Sequence, residues 1–275
     1  MSGKMMCYYR TWKDIAWDDS NLNSMRDIPS GVDVVFIFSN APEPDSFVTA
    51  LKEDYIPKLK EKGIKLVKSL SIDVLLDTNY ENNTSGHSLL ANSLYEKYIT
   101  KWGIDGFDID MEKEEFTDEE LERATGVFKA LSALIGPKSG TDKLFVYDTN
   151  MPAYYPFLFQ KIYDLVNYVL IQSYGRSVEG LQSTFDGYSP YIRPDQYLIG
   201  FTFYEEHSSG GWDDVSDPLD QSRAWQYALW QPTQGNKGGV FSYATDRDGV
   251  SFGDNNEYKT NYTITKKLID LMNEK

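Results

Sequence analysis

The chain holds a single cysteine, Cys7, and two histidines, His87 and His207, among its 275 residues. A lone thiol closes no internal disulfide and builds no thiolate metal cage. The histidines lie far apart, in settings unlike a zinc site, so no metal site is expected. Long apolar runs are also missing: none reaches the roughly 18 residues of a membrane span. The leading Met5-Met6-Cys7-Tyr8-Tyr9 is too short for a signal-peptide core and lacks a cleavage site. Positive charge is scarce, with 27 Lys and Arg against 42 Asp and Glu and a formal charge of −15. Binding a phosphate backbone needs a basic face, so nucleic acid is not an expected partner, and neither is a membrane.

What is present suits a large folded core. Hydrophobic residues make up 41% and charged residues 25%, enough apolar surface to offset chain entropy. The 20 tyrosines, beside 14 Phe and 6 Trp, join flat apolar faces to polar handles. That suits carbohydrate and suits any large core equally.

Short β-branched and aromatic runs recur at regular intervals. They predict strands at Met5–Tyr9, Val32–Ser39, Lys65–Ile72, Gly106–Glu112, Leu144–Asn150, Tyr168–Tyr174, Tyr197–Phe203 and Gly239–Tyr243. Helical periodicity fills the intervals. The clearest helix is Asp118–Leu134, opened by a Thr117/Glu120 capping box and stopped by Gly136-Pro137. Others are expected at Asp45–Lys62, with a kink at Pro57, and at Ser88–Trp102, Pro218–Gln231 and Asn261–Asn273. Weaker signals mark Ser20–Arg26, Pro156–Ile162 and Gly180–Ile192. Eight alternations of strand and helix predict an α/β fold, a single-domain (β/α)8 TIM barrel over residues 1–275. An open doubly wound sheet would carry a glycine-rich phosphate turn, and none follows the first strand. There is no linker, repeat or low-complexity stretch.

The informative segment is Asp105-Gly106-Phe107-Asp108-Ile109-Asp110-Met111-Glu112. Strand alternation puts Asp108, Asp110 and Glu112 on one face and Phe107, Ile109 and Met111 on the other. Three stacked carboxylates repel one another and resist burial, so a core would not choose them for stability. In a barrel the acidic face points inward, and Glu112 lies nearest the carboxyl end, where barrel active sites sit. Such a column shares protons, which leaves the outermost acid protonated near neutral pH and able to donate. A solvated acidic edge accounts for Glu114, Glu115 and Asp118 to Glu120, which suit a helix N-terminus. It does not account for the clean alternation on the strand.

This run resembles the DGxDxDxE signature of glycoside hydrolase family 18. More narrowly, the chain resembles the catalytic domains of the endo-β-N-acetylglucosaminidases of the EndoS and EndoE branch. The matching stretches are Tyr8 to Trp12, Gln172 to Gly175, Ile199 to Glu206 and Phe241 to Gly249. Family chitinases carry a Tyr-Asp pair on the sixth strand, where this chain has Tyr174-Gly175. They usually present a tryptophan on the eighth, where this chain has Tyr243.

The resemblance implies cleavage between the two core N-acetylglucosamines of N-linked glycans, by retaining, substrate-assisted hydrolysis through an oxazolinium intermediate. It gives Glu112 the role of general acid and base. Asp110 holds the acetamido N–H, Asp108 tunes Asp110, and Tyr174 and Gln172 position the acetamide. Asp148 either joins this network or caps a loop. Trp12, Tyr204, Glu205, Glu206 and Tyr243 are candidates to line sugar subsites, although packing accounts for any one of them as well. Asp246-Arg247-Asp248-Gly249 reads as a loop ion pair and turn. No cofactor is required, N-glycans or glycoproteins are the expected partners, and a monomer with an open groove is expected. Family members are usually secreted or cell-surface proteins, and without a visible signal peptide the localisation stays open. Two rivals remain: a chitinase acting on β-1,4-linked N-acetylglucosamine oligomers, and a catalytically silent sugar-binding barrel.

Overall fold

All eight predicted strands form in the computed structural model, which describes residues 3–274. They are β1 (Lys4–Arg10), β2 (Val34–Phe38), β3 (Lys65–Ser71), β4 (Gly106–Met111), β5 (Leu144–Thr149), β6 (Tyr168–Gln172), β7 (Tyr197–Thr202) and β8 (Gly239–Tyr243). Each pairs in parallel with the next and β8 returns to β1, closing a barrel without a free edge. The architecture is a single-domain TIM barrel.

Side-chain alternation sorts the barrel into two cores. Phe107, Ile109 and Met111 of β4 join the large cluster between barrel and helices. The interior is filled by Met6, Tyr8, Val34, Phe36, Val67, Val146, Leu170, Leu198 and Phe241. Above these apolar residues, towards the carboxyl ends, the inward positions turn polar. Asp110 of β4 stands beside Asp148 of β5 in the strand register, and Gln172 closes β6.

The outer helices are α1 (Asp45–Ala50), α2 (Ile56–Glu61), α3 (Thr84–Leu94), α4 (Asp118–Ser132), α5 (Phe159–Ile162), α6 (Leu181–Tyr188), α7 (Arg223–Leu229) and α8 (Thr263–Asn273). The capping box of α4 forms, with Thr117 Oγ1 accepting from the Glu120 N–H and Glu120 accepting from the Thr117 N–H. Helical turns continue through Pro57. It has no N–H to donate back one turn, and the wider π-helical turn Leu51–Tyr55 between α1 and α2 absorbs the gap. α3 begins four residues before the expected Ser88, because Asn83 caps the Gly86 N–H at 2.9 Å.

Two helical expectations fail. Pro218 does not start α7; it precedes a single 3₁₀ turn, and Ser222 supplies the cap by accepting from the Trp225 N–H. Ser20–Arg26 is not a helix, only a turn at Met25–Asp27. There the buried Asp14 carboxylate takes the N–H groups of Ala16 and Met25, offering the backbone a partner that competes with helical bonding.

Candidate active site

The carboxyl ends of the strands open into a cleft of about 620 Å³. Asp110, Glu112, Gln172 and Tyr174 line it, together with Asp148. Asp108 lies beneath, fully buried. One of its oxygens, Oδ2, accepts from the Tyr8 hydroxyl at 2.9 Å and the Ser69 hydroxyl at 2.8 Å. Gln172 Nε2 donates to Asp148 Oδ2 at 2.9 Å and reaches Asp110 Oδ1 at 3.4 Å. Asp148 thus joins the network rather than capping a loop. The second oxygens of Asp108 and Asp148 are buried and have no hydrogen-bond partner among the described residues.

Depth governs the electrostatics of this column. Burial first, and then the charge of Asp110, pushes Asp108 up to about 8. Burial and then Glu112 push Asp110 up to about 7, with the Gln172 amide working the other way. Asp148 is held well above the carboxylate range by burial, then by Asp108 and Asp110. Glu112 is exposed at the mouth, whereas desolvation acts on the inner acids and raises them. Burial, followed by Asp148, also raises the Tyr174 phenol well above its ordinary value, so it remains an O–H donor.

The far wall is built on Arg10, a guanidinium 1% exposed at the end of β1. It donates to Asp246 through Nε at 2.9 Å and Nη2 at 2.5 Å, to Glu206 at 2.9 Å and to Glu205 at 3.1 Å. Although burial opposes it, the bonds from Arg10 and Lys13 pull Glu206 down to about 2. Glu205 lines the cleft and also accepts from the Tyr243 hydroxyl at 3.0 Å. The Tyr243 and Tyr174 rings stand 6.0 Å apart. Within Asp246-Arg247-Asp248-Gly249, the partner of Asp246 is Arg10 rather than Arg247. Arg247 instead donates to the carbonyls of Tyr204, Asn256 and Asp254.

Three subsite candidates lie elsewhere. Trp12 packs on Phe38, with ring centroids 5.9 Å apart, and meets the Arg10 guanidinium; Phe38, not Trp12, lines the cleft. Tyr204 is buried, with its hydroxyl donating to Asn255 and its ring against Phe252. Glu206 is occupied by Arg10, Lys13 and Arg247.

Sequence reasoning passed over Tyr8, Ser69, Phe38 and Trp212. Tyr8 and Phe38 had a signal, since they share inward parity with Met6 on β1 and Phe36 on β2. Trp212 had none, because it sits in the irregular segment between β7 and α7. It lines the cleft while 52% exposed, and a Cβ on Gly175 would stand 2.2 Å from its ring. Gly175 also has φ +67°, and its N–H donates to Asp214 Oδ1 at 3.0 Å. The same carboxylate takes the Thr202 N–H at 2.9 Å and the Arg223 guanidinium. A residue with a side chain is thus disfavoured after Tyr174 both by backbone conformation and by the indole.

An exposed carboxyl above a buried acidic column, with phenol and amide donors in the same cleft, can donate and retake a proton at a bond lying across the cleft.

The model of the EndoS endo-β-N-acetylglucosaminidase TIM-barrel domain matches residues 7–242. Endo-β-N-acetylglucosaminidase F2 of Elizabethkingia meningoseptica is 41% identical over 272 residues, covering 97% of this chain and 80% of the relative. EndoS of Streptococcus pyogenes serotype M1 is 32% identical over 96% of this chain, which spans only 33% of that relative. The crystal structure of an endo-β-N-acetylglucosaminidase from Cordyceps militaris superposes with a TM-score of 0.95 at 46% identity, covering 100% of this chain and 92% of that one.

Proposed function

The chain belongs to the EndoS-type endo-β-N-acetylglucosaminidase family of glycoside hydrolases, and on that premise we propose that it cuts the β-1,4 bond between the two core N-acetylglucosamines of N-linked glycans, with retention. The supporting observation is the placement of Glu112 at the cleft mouth, in one lining with Asp110, Gln172 and Tyr174. Glu112 protonates the leaving oxygen. The carbonyl oxygen of the substrate's own 2-acetamido group bonds to C1 as the glycosidic bond breaks, giving an oxazolinium. Asp110 accepts the acetamido N–H and balances the charge that develops there. Tyr174 donates to the acetamido oxygen, and Gln172 holds Asp110 in place. Water then attacks C1, Glu112 takes its proton, and the acetamide re-forms with the β configuration kept. Tyr243, pinned by Glu205, forms the floor under the sugar.

The Cordyceps militaris enzyme has also been solved, as a variant, in complex with fucosyl-N-acetylglucosamine-Asn. That complex supports a product with one N-acetylglucosamine left on asparagine, and a core fucose as a tolerated substituent.

The test is intact-mass analysis of glycoproteins bearing high-mannose, complex and core-fucosylated glycans, beside chitin oligosaccharides. Wild type should leave a single N-acetylglucosamine. Glu112→Gln, which keeps the shape and removes the acid, should lower kcat by about 10²–10⁴-fold. Proton NMR of the fresh product should show the β anomer first. Cleavage of chitin oligosaccharides alone, or release untouched by Glu112→Gln, overturns the reading.

A further inference from the structure

Among the described residues, Asp148 is the one buried acid of the barrel interior that lies outside the acidic strand. Its neighbour in the β4–β5 register is Asp110. Its side chain is directed inward, where Gln172 Nε2 donates to Oδ2 at 2.9 Å while reaching Asp110 at 3.4 Å. The residue is 2% exposed, and Oδ1 has no partner among the described residues, as is true of Asp108 Oδ1. A bare carboxylate oxygen in that position is costly, and a protonated one is an unused donor. The ionisable groups facing it are all acids: Asp108 and Asp110 from β4, Glu112 just after it, Tyr8 from β1 and Tyr174 after β6. Nothing in this set favours an ionised Asp148.

We propose that Asp148 is a positioning residue for the hydrolysis: a carboxyl kept neutral inside the barrel, whose O–H and whose hold on Gln172 keep Asp110 ionised and aimed at the substrate acetamide. The proposal rests on the role given to Asp110 above. Burial and the adjoining acids, which hold Asp148 well above the usual range, agree with it. It also explains why a glutamine stands at position 172. An amide can donate to a neutral acid on one side and a carboxylate on the other, and a third ionisable group there would add to the repulsion.

Two readouts test it. In difference infrared spectra at pH 7, wild type minus Asp148→Asn should contain the carbonyl stretch of a neutral carboxylic acid. This arm needs no turnover, so it judges Asp148 even if the glycan assignment fails. In kinetics, Asp148→Asn keeps an amide donor and an acceptor for Gln172, and should stay within about tenfold of wild-type kcat. Asp148→Ala should lose about 100-fold in kcat with KM nearly unchanged, as expected when a reacting group shifts by about 1 Å. An ionised-carboxylate signal at pH 7, or an Asp148→Asn enzyme as slow as Asp148→Ala, overturns the proposal. Wild type that releases no glycan while the neutral-acid band is present overturns the functional reading and leaves the protonation of Asp148 supported.

Discussion

Asp108 shows what the site costs at the scale of one residue. It sits at the bottom of the column, fully buried, with two hydroxyl donors on one oxygen and none on the other. Its unfolded value is near 3.8 and its folded value about 8. Between those limits the folded protein holds a proton that the unfolded chain has lost, so stability falls as pH rises through the window. Asp108→Asn keeps an oxygen for Tyr8 and Ser69 and removes the titration. Its Tm should therefore exceed that of wild type at pH 8, by about 2–4 °C for each kcal/mol relieved, and converge with it near pH 4. Its kcat should fall, because the proton that tunes Asp110 is gone. A Tm difference that grows towards acid in calorimetry would contradict the assigned direction.

At the scale of elements, the turn after β6 concentrates the constraints. Gly175 occupies the left-handed region, touches Trp212 and bonds to Asp214, which also secures the end of β7 and the start of α7. Gly175→Ala should cost about 1–3 kcal/mol in denaturant unfolding through strain. It should also lower kcat well beyond its effect on KM, because Tyr174 precedes it directly; kinetics unchanged from wild type would show that the turn does not position the phenol. Local sequence chemistry was sufficient for α4, where the cap and stop residues adjoin the helix. It fell short at Ser20–Arg26, where the deciding partner, Asp14, takes backbone groups that an isolated reading assigns to a helix.

For the whole molecule, the net charge of −15 acts on any anionic substrate. Sialylated glycans approach an acidic protein against its field, and salt screens that field over a Debye length of about 10 Å at 0.1 M. Raising ionic strength from about 0.01 to 0.15 M should therefore increase kcat/KM for sialylated glycopeptides more than for their desialylated counterparts, measured in parallel. An equal response would assign the approach to local contacts alone.

The sequence by itself determined the strand count, the parallel order and the inward parity of Asp108, Asp110 and Glu112. These follow from a two-residue period and from caps and breakers that act within a few residues. Tertiary structure alone decided how completely each acid is buried, and so how strongly desolvation raises Asp108, Asp110 and Asp148. It set Asp148 beside Asp110, turned Gln172 into the bridge between them, and brought Trp212 over Gly175. It also set Trp12 on Phe38, Tyr204 against Asn255 and Phe252, and Glu206 on Arg10, outside the cleft lining. Such pairings, Arg10 with Asp246 among them, join residues as much as 236 positions apart. They exist only once the barrel has closed, because closure fixes depth and partner together.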